Sequence, residues 1–369
     1  MKNVIPFPLI EISGSPQQRG RQYGEAARER IHAGVAIYGD QLSELLSPQE
    51  KSRILEDFSA IVRQFDPDYL AEMEGIAAGA SVPLEAIVMI NARTEVVAKA
   101  RLLSEQREIH DDSIEDGCSG AVILPQRSAH GKLIHGQNWD WRAECADTSV
   151  VVKIRRDNGP DVLTFVEAGG LARSGLNSAG LAITANYLRC ERDYRKFGVP
   201  ISLIRRKALE QQHMALAMRV VATTAKSCSN NMILSTAEGF AIDFECAPDE
   251  AFALYPQQGV LVHANHWESE TAKVKVREEG IGTSPDSLYR SWRVSQLLAG
   301  KPLLNEEDMK AAFFDNFGTP YSVCRPPRPG FNSDLSATVA MIVMTPADGV
   351  MDVAPLPAIN QTFTRYTLD

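Results

Sequence analysis

The dipeptide Gly117-Cys118, in the run Glu115-Asp116-Gly117-Cys118-Ser119-Gly120, concentrates more chemistry than any other stretch of this chain. An acidic segment leads up to it (Glu105, Glu108, Asp111, Asp112, Glu115, Asp116), and a strand-like run, Ala121 to Pro125, follows. If the Gly-Cys bond were cut, Cys118 would become an N-terminus. One residue would then carry both a nucleophile and a general base, the thiol and the α-amine. The plain alternative is a small buried cysteine opening a strand, a common place for a free thiol.

Four further signals could serve such a nucleophile. Gly136-Gln137-Asn138-Trp139-Asp140-Trp141 sets Asp140 between two indoles near a strand end. Its carboxylate can orient an amine or hold a cationic group, or simply cap a turn beside core aromatics. Thr184-Ala185-Asn186-Tyr187 closes an apolar strand, where the Asn186 amide or a nearby N–H can donate to an oxyanion. Val262-His263-Ala264-Asn265-His266 invites a metal reading. On a strand, however, His263 and His266 point to opposite faces, and no carboxylate-rich zinc pattern surrounds them. Asn265 is the better candidate there, as a second oxyanion donor. Tyr321-Ser322-Val323-Cys324-Arg325 supplies an arginine that can bind a carboxylate or keep the neighbourhood of Cys118 electropositive, though arginine is also an ordinary surface residue. Other chemistries lack their signatures. The chain has no Gly-x-Ser-x-Gly elbow, phosphate-binding loop or dinucleotide fingerprint. Nor does Cys118 carry the local motif of a papain-like protease.

The elements that must position these residues change character at about residue 118. Before it the chain reads as helical. Ser15-Pro16 is a cap with a first-turn proline, and apolar residues recur at three- and four-residue steps up to Leu46, which predicts one long helix. Helices are expected over 48–65, 67–78 and 83–91. Gly20 and Gly24, four apart, cost roughly 1 kcal/mol each inside a helix, so close backbone packing is their expected use. After residue 118, short β-rich runs are predicted at 123–125, 133–138, 150–154, 162–166, 181–186, 232–235, 240–245, 260–263, 337–344 and 349–353. Helices at 200–209, 215–225, 286–299 and 306–314 interrupt them. Strand runs broken by helix pairs predict an α+β layered sandwich rather than a parallel α/β fold.

Composition sets the outer bounds. The 369 residues can bury a large core, and 44% hydrophobic with 23% charged residues is ordinary for a soluble globular chain. A net charge of −9 argues against nucleic acid or an anionic membrane as partner. No apolar run is long enough to span a bilayer, and two early prolines (Pro6, Pro8) disfavour a signal peptide, so a cytoplasmic location is expected. Six scattered cysteines without Cys-x-x-Cys spacing fit reduced thiols.

Taken in order, the segments resemble the acyl-coenzyme A:6-aminopenicillanate acyltransferase (isopenicillin-N acyltransferase-like) family of N-terminal nucleophile (Ntn) hydrolases. The resemblance is carried by Gly14-Ser15-Pro16 with Gly20 and Gly24, by Asn91 to Glu95 and by Asp116-Gly117-Cys118. It continues through Gly136 to Asp140, Glu167-Ala168-Gly169, Asn177 to Gly180, Val262 to His266 and Tyr321 to Arg325. Gly120 departs from the pattern where a second hydroxyl residue is expected, and about four extra residues lie within 126–132.

The resemblance implies a four-layer αββα sandwich whose precursor cuts itself between Gly117 and Cys118. The fragments 1–117 and 118–369 would then stay associated as one globular unit. It also implies an amidase or acyltransferase working through a Cys118 thioester on a small N-acyl amide. Asn265 and Asn186 would serve the oxyanion, Asp140 and Arg325 the amine and substrate, and Trp139, Trp141 and Tyr187 the binding pocket. No metal or resident cofactor is implied, although a coenzyme A thioester is a candidate acyl donor. Self-association into a homo-oligomer is left open. Two other readings stand beside this one: a catalytically silent binding protein on the same fold, and a papain-like protease needing a histidine.

Overall fold

The computed structural model describes residues 4–103, 117–329 and 335–369. The acidic residues at 105–116 therefore lie outside the described residues. From the N-terminus run β1 (Leu9–Ile12), α1 (Pro16–Ala26), α2 (Arg28–Leu45), α3 (Pro48–Phe65), α4 (Pro67–Ala80), α5 (Leu84–Asn91) and α6 (Arg93–Leu103). The middle of the chain holds β2 (Cys118–Ile123), β3 (Ile134–Arg142), α7 (Cys145–Thr148), β4 (Ser149–Ile154), β5 (Val162–Glu167), β6 (Ser174–Asn177) and β7 (Leu181–Tyr187). Then come α8 (Ile201–Leu209), α9 (Met214–Thr223), β8 (Asn230–Thr236), β9 (Ala241–Ala247), β10 (Glu250–Leu254), β11 (Val260–His263), α10 (Glu270–Lys275) and α11 (Asp286–Ala299). The last elements are α12 (Glu306–Phe313), β12 (Arg328–Pro329), β13 (Leu335–Thr345), β14 (Val350–Pro355) and β15 (Thr364–Thr367).

Two sheets stack face to face. One has the order β1-β4-β5-β6-β7-β8-β9-β10, antiparallel except for the β1–β4 pair. The other runs β11-β2-β3-β13-β14-β15, with β12 on β13. Strand alternation divides the apolar residues into separate layers. Val150, Val152, Ile183, Leu234 and Phe244 pack outward with residues of α1–α6, α8 and α9. Val151, Leu163, Phe165 and Ala182 meet Trp139, Ala340 and Ile342 between the sheets. Ala121, Ile123, Met341 and Val343 pack outward on α11 and α12. The order of layers is thus α, β, β, α, and the expected α+β sandwich is the observed fold.

The helical segment differs in one respect from its periodicity. The single helix predicted over 16–46 is two, joined at Ala27. The Ala27 N–H bonds the Tyr23 carbonyl and the Ile31 N–H bonds the Ala27 carbonyl, so Ala27 both closes the first helix and opens the second. The start is as predicted: Ser15 and Gln18 form a reciprocal capping box, with Pro16 in the first turn. The weakly patterned elements β1, β6, β10, β15, α6, α7 and α10 are additions.

Gly20 and Gly24 do pack backbone to backbone, against a matching pair in α4. A Cβ on Gly20 would lie 2.0 Å from the Glu72 carbonyl oxygen, and one on Gly24 would lie 2.2 Å from that of Ile76. Gly75 and Gly79 face Gln17 and Arg21 equally closely, each at 2.3 Å. Beside this contact Glu72 accepts from Arg19 and Arg206, all three side chains buried. Gly20→Leu is expected to lower the unfolding free energy by about 3 kcal/mol, the upper end for overpacking, because backbone atoms cannot rotate away. A denaturant titration checks this, and an unchanged midpoint would count against the close crossing.

Candidate active site

Cys118 is the first residue of β2, a strand lying between β3 and β11, with Cys118 opposite Trp139. Alternation turns Cys118 and Gly120 toward the other sheet, and Ser119 toward α11. Cys118 shares the apolar cluster between the sheets with Trp139, Phe165 and Val339. Gly120 explains its own departure from the family pattern. A Cβ there would stand 2.9 Å from Ile233 Cδ1 of β8, so Ile233 occupies the space a side chain would need.

The peptide bond ahead of Cys118 is gripped at both ends. The Gly117 carbonyl accepts the backbone N–H of Asp140 at 2.7 Å. The Cys118 N–H donates to Asn265 Oδ1, also at 2.7 Å. Gly117 itself is enclosed, since a Cβ would come within 2.6 Å of both Arg325 Cζ and Asp140 Oδ2.

Behind these contacts lies a buried network of alternating charge. Asp140 accepts from the Thr338 hydroxyl at 2.6 Å and faces Arg325 Nε at 3.1 Å. Arg325 also pairs with Asp286, which accepts from Arg290 Nε at 2.7 Å. Arg290 donates to the Cys118 carbonyl at 2.7 Å, to Ser119 Oγ at 3.0 Å and to Asn265 Oδ1 at 2.9 Å. Burial raises the Asp140 carboxyl above the usual range against the pull of Arg325 and Arg290. Burial acts the same way on Asp286, but Arg290 and Arg325 outweigh it and hold the carboxyl down to about 2.

The sign for Asp286 follows from linkage. Its folded value lies below the unfolded one near 3.8, so its ion pairs stabilise the fold fully above that pH. That contribution is lost as pH falls through about 2. The stability gap between wild type and Asp286→Asn, read by denaturant titration, should therefore hold steady at higher pH and close between about 4 and 2. A gap independent of pH over that interval would refute the pairing.

The remaining predicted residues fall around this centre with different partners. Asn186 is committed on three sides. Its Nδ2 donates to the His263 carbonyl, its Oδ1 accepts from Gln137, and its backbone N–H donates to Asn231. Asn265 Nδ2 donates to the Tyr187 carbonyl at 2.9 Å, which ties the β7 end to the β11 loop. Trp139 is fully buried, with the Arg173 guanidinium 3.9 Å above its ring. Trp141 donates to Tyr38 and lies under Arg93 at 4.3 Å. Arg93 and Arg173 both pair with Glu167. Tyr187 bonds Tyr194 through their hydroxyls. Trp139 and Trp141 are therefore packed scaffold, while Tyr187 also lines a cavity.

One cavity reaches the network, and a second lies beside Asn186. The first, of about 480 Å³, is lined by Asp286, Tyr289, Tyr321, Arg325 and Arg328. A smaller one of about 60 Å³ is lined by Arg173, Asn186 and Tyr187 among others.

The histidine pair corrects the sequence reading. β11 ends at His263, so the chain bends, and His266 stacks near His263 with ring centroids 6.3 Å apart instead of facing away. Both rings have protein partners: His263 bonds Glu245 and the Ala264 carbonyl, and His266 bonds Ser287. Burial opposes protonation of His263, but Asp243 and Glu245 outweigh it and raise the ring to about 10. Burial lowers His266 to about 4. Among the described residues no group of three or more His, Cys, Asp or Glu is placed to hold a metal ion. His135, between the sheets, bonds Ser235 and Thr184, and burial lowers it to about 3. All six cysteines are buried, and none forms a disulfide. Among the described residues no helix is long and apolar enough to cross a membrane.

Three members of the network, Asp286, Arg290 and Thr338, were not singled out from the sequence. Asp286 and Arg290 are an i, i+4 pair on a helix whose limits were predicted, so the spacing was a usable signal. Thr338 gave none, because only strand register sets it opposite Asp140.

Comparison with known proteins agrees with the family resemblance. The chain is 27% identical over 325 residues to the 40 kDa form of acyl-coenzyme A:6-aminopenicillanic-acid-acyltransferase from Emericella nidulans, covering 86% of this chain and 84% of the relative. Among solved structures, a mutant of the conjugated bile acid hydrolase from Clostridium perfringens aligns at TM-score 0.48 and 12% identity, over 68% of this chain and 92% of that one. A Caenorhabditis elegans N-acylethanolamine-hydrolyzing acid amidase ortholog aligns at 0.41 and 18%, over 62% and 93%. A family model described as acyl-coenzyme A:6-aminopenicillanic acid acyl-transferase matches residues 127–354, more than half of the chain. The chain belongs to that family of acyl-transferring, Ntn-hydrolase-type enzymes.

Proposed function

We propose that this chain cuts itself between Gly117 and Cys118 and then uses Cys118 as an N-terminal nucleophile to cleave or transfer the acyl group of a small N-acyl amide. The observation that carries the reading is the double grip on that one peptide bond, by Asp140 N–H on the carbonyl and Asn265 Oδ1 on the amide nitrogen.

In the self-cut, the Cys118 sulfur bonds to the Gly117 carbonyl carbon, and the oxygen takes negative charge against the Asp140 N–H. The C–N bond then breaks, and the proton that left the thiol ends on the departing nitrogen beside Asn265. Water hydrolyses the resulting thioester to a Gly117 carboxylate and a free Cys118 thiol. The new α-amine, with an ordinary value near ~7.7–8.0, is a competent base for that thiol at neutral pH. The same sequence applied to a substrate amide gives an acyl-Cys118 thioester and a released amine. Water or an acceptor amine then takes the acyl group. Hydrolysis is the favoured outcome wherever the pocket admits water. The relatives' named acyltransferase and amide-hydrolysing activities support this class of reaction but leave the acyl group open.

Intact-mass analysis tests the reading directly. Two fragments divided at 117/118 that together take one thiol-reactive acyl probe are expected. A single chain inert to the probe would favour a silent binding protein, and activity abolished by a His→Ala change with Cys118 still internal would favour a papain-like protease.

A further inference from the structure

We infer that Arg290 is a positioning residue for the Gly117–Cys118 bond, acting by locking the Asn265 amide in one orientation. The inference rests on the self-cutting reading above. Arg290 is fully buried and projects from α11 into the space between β2 and the β11 loop. Its planar fork spends each edge on a different partner. Nε holds Asp286, one terminal nitrogen holds the Cys118 carbonyl and Ser119 Oγ, and the other holds Asn265 Oδ1.

An asparagine amide can present either its oxygen or its nitrogen to a neighbour. Two donors meet on Asn265 Oδ1, the Cys118 N–H and Arg290, while Nδ2 donates to the Tyr187 carbonyl. A flipped amide would turn an N–H toward a guanidinium that has no acceptor to offer, and toward the scissile N–H. The flip is therefore excluded while Arg290 is in place. The same guanidinium pins the carbonyl of Cys118 directly, while it reaches the nitrogen of that residue through Asn265. Asp286 fixes the fork and is itself shared with Arg325, which adjoins Gly117. Arg290 thus links the groups on the two flanks of the bond without touching the carbon under attack.

Lysine separates this role from simple charge. An ammonium is a point donor, and one placed on Asp286 and the Cys118 carbonyl does not also reach Asn265 with the fork's geometry. The test follows self-cutting of the full chain in a time course of cell-free synthesis, read by intact mass, for wild type, Arg290→Lys, Asn265→Ala and the double variant. Asn265→Ala should cut on the order of 10²-fold more slowly, as for loss of one preorganised polar contact. Arg290→Lys should cut about tenfold more slowly in the wild-type background and within about twofold of Asn265→Ala in the double variant, because both changes remove one interaction.

Slowing that multiplies in the double variant would mean that Arg290 acts independently of Asn265, and the inference would be wrong. Wild-type cutting in Arg290→Lys would overturn it equally. Thermal unfolding of each variant keeps misfolding apart from mechanism, and Arg290→Met, which loses both arms, should be slower than Arg290→Lys. Failure of the self-cutting reading itself would show already in the wild-type chain, as no cut at 117/118. Failure of this inference shows only in the variants.

Discussion

Replacing Cys118 by alanine is expected to leave one uncut 369-residue chain that takes no acyl label, with a thermal midpoint close to that of wild type. The loss should be complete, since the proposed reactions of cutting and turnover both begin at the same sulfur. Stability should be nearly untouched because residue 118 is anchored through its backbone, by its N–H to Asn265 and its carbonyl to Arg290. Alanine keeps both bonds and removes only a small buried atom from the layer between the sheets. Cys118→Ser should restore slow cutting through an ester, because a hydroxyl is the poorer nucleophile near neutral pH. A Cys118→Ala chain still divided at 117/118 would show that another group makes the cut.

What the sequence made legible, and what it did not, divides along a physical line. Cys118, Asp140, Asn265 and Arg325 lie at strand ends or in loops, where a polar residue after an apolar run is conspicuous. The fold brings these four into one hydrogen-bonded network with two residues between them. Asn186, read in the same way, joins Gln137 of the facing sheet to the His263 carbonyl inside the sandwich. Local sequence cannot distinguish these fates, since the difference lies in which strand arrives opposite. Thr338 and Arg290 illustrate the same point, one fixed by register and the other by the seating of a helix.

Backbone signals travelled better. The cap at Ser15-Pro16 correctly marked a helix start, and Gly20 with Gly24 a close helix crossing, yet the partner glycines in α4 could not be matched to them without the fold. The histidine pair shows how such an argument fails. Opposite faces were the right deduction for a strand, but β11 stops at His263.

The second large effect concerns Gly117. Gly117→Val is expected to abolish cutting while the chain still folds, at a cost of roughly 1–3 kcal/mol for the added bulk. The reason is space: a Cβ would meet Arg325 and Asp140 at 2.6 Å. An arginine is ordinarily a flexible arm that can yield to a neighbour. Arg325 is only 1% exposed and is tied to both Asp140 and Asp286, so it has nowhere to go. The backbone must move instead, and the Gly117 carbonyl would be drawn off the Asp140 N–H, which in the proposed cut faces its developing charge. Alanine, smaller by two methyl groups, should slow cutting by less than valine does. Timed intact-mass measurements on the two variants would rank them. A Gly117→Val chain cut at the wild-type rate would mean that the grip on this carbonyl plays no part in the reaction.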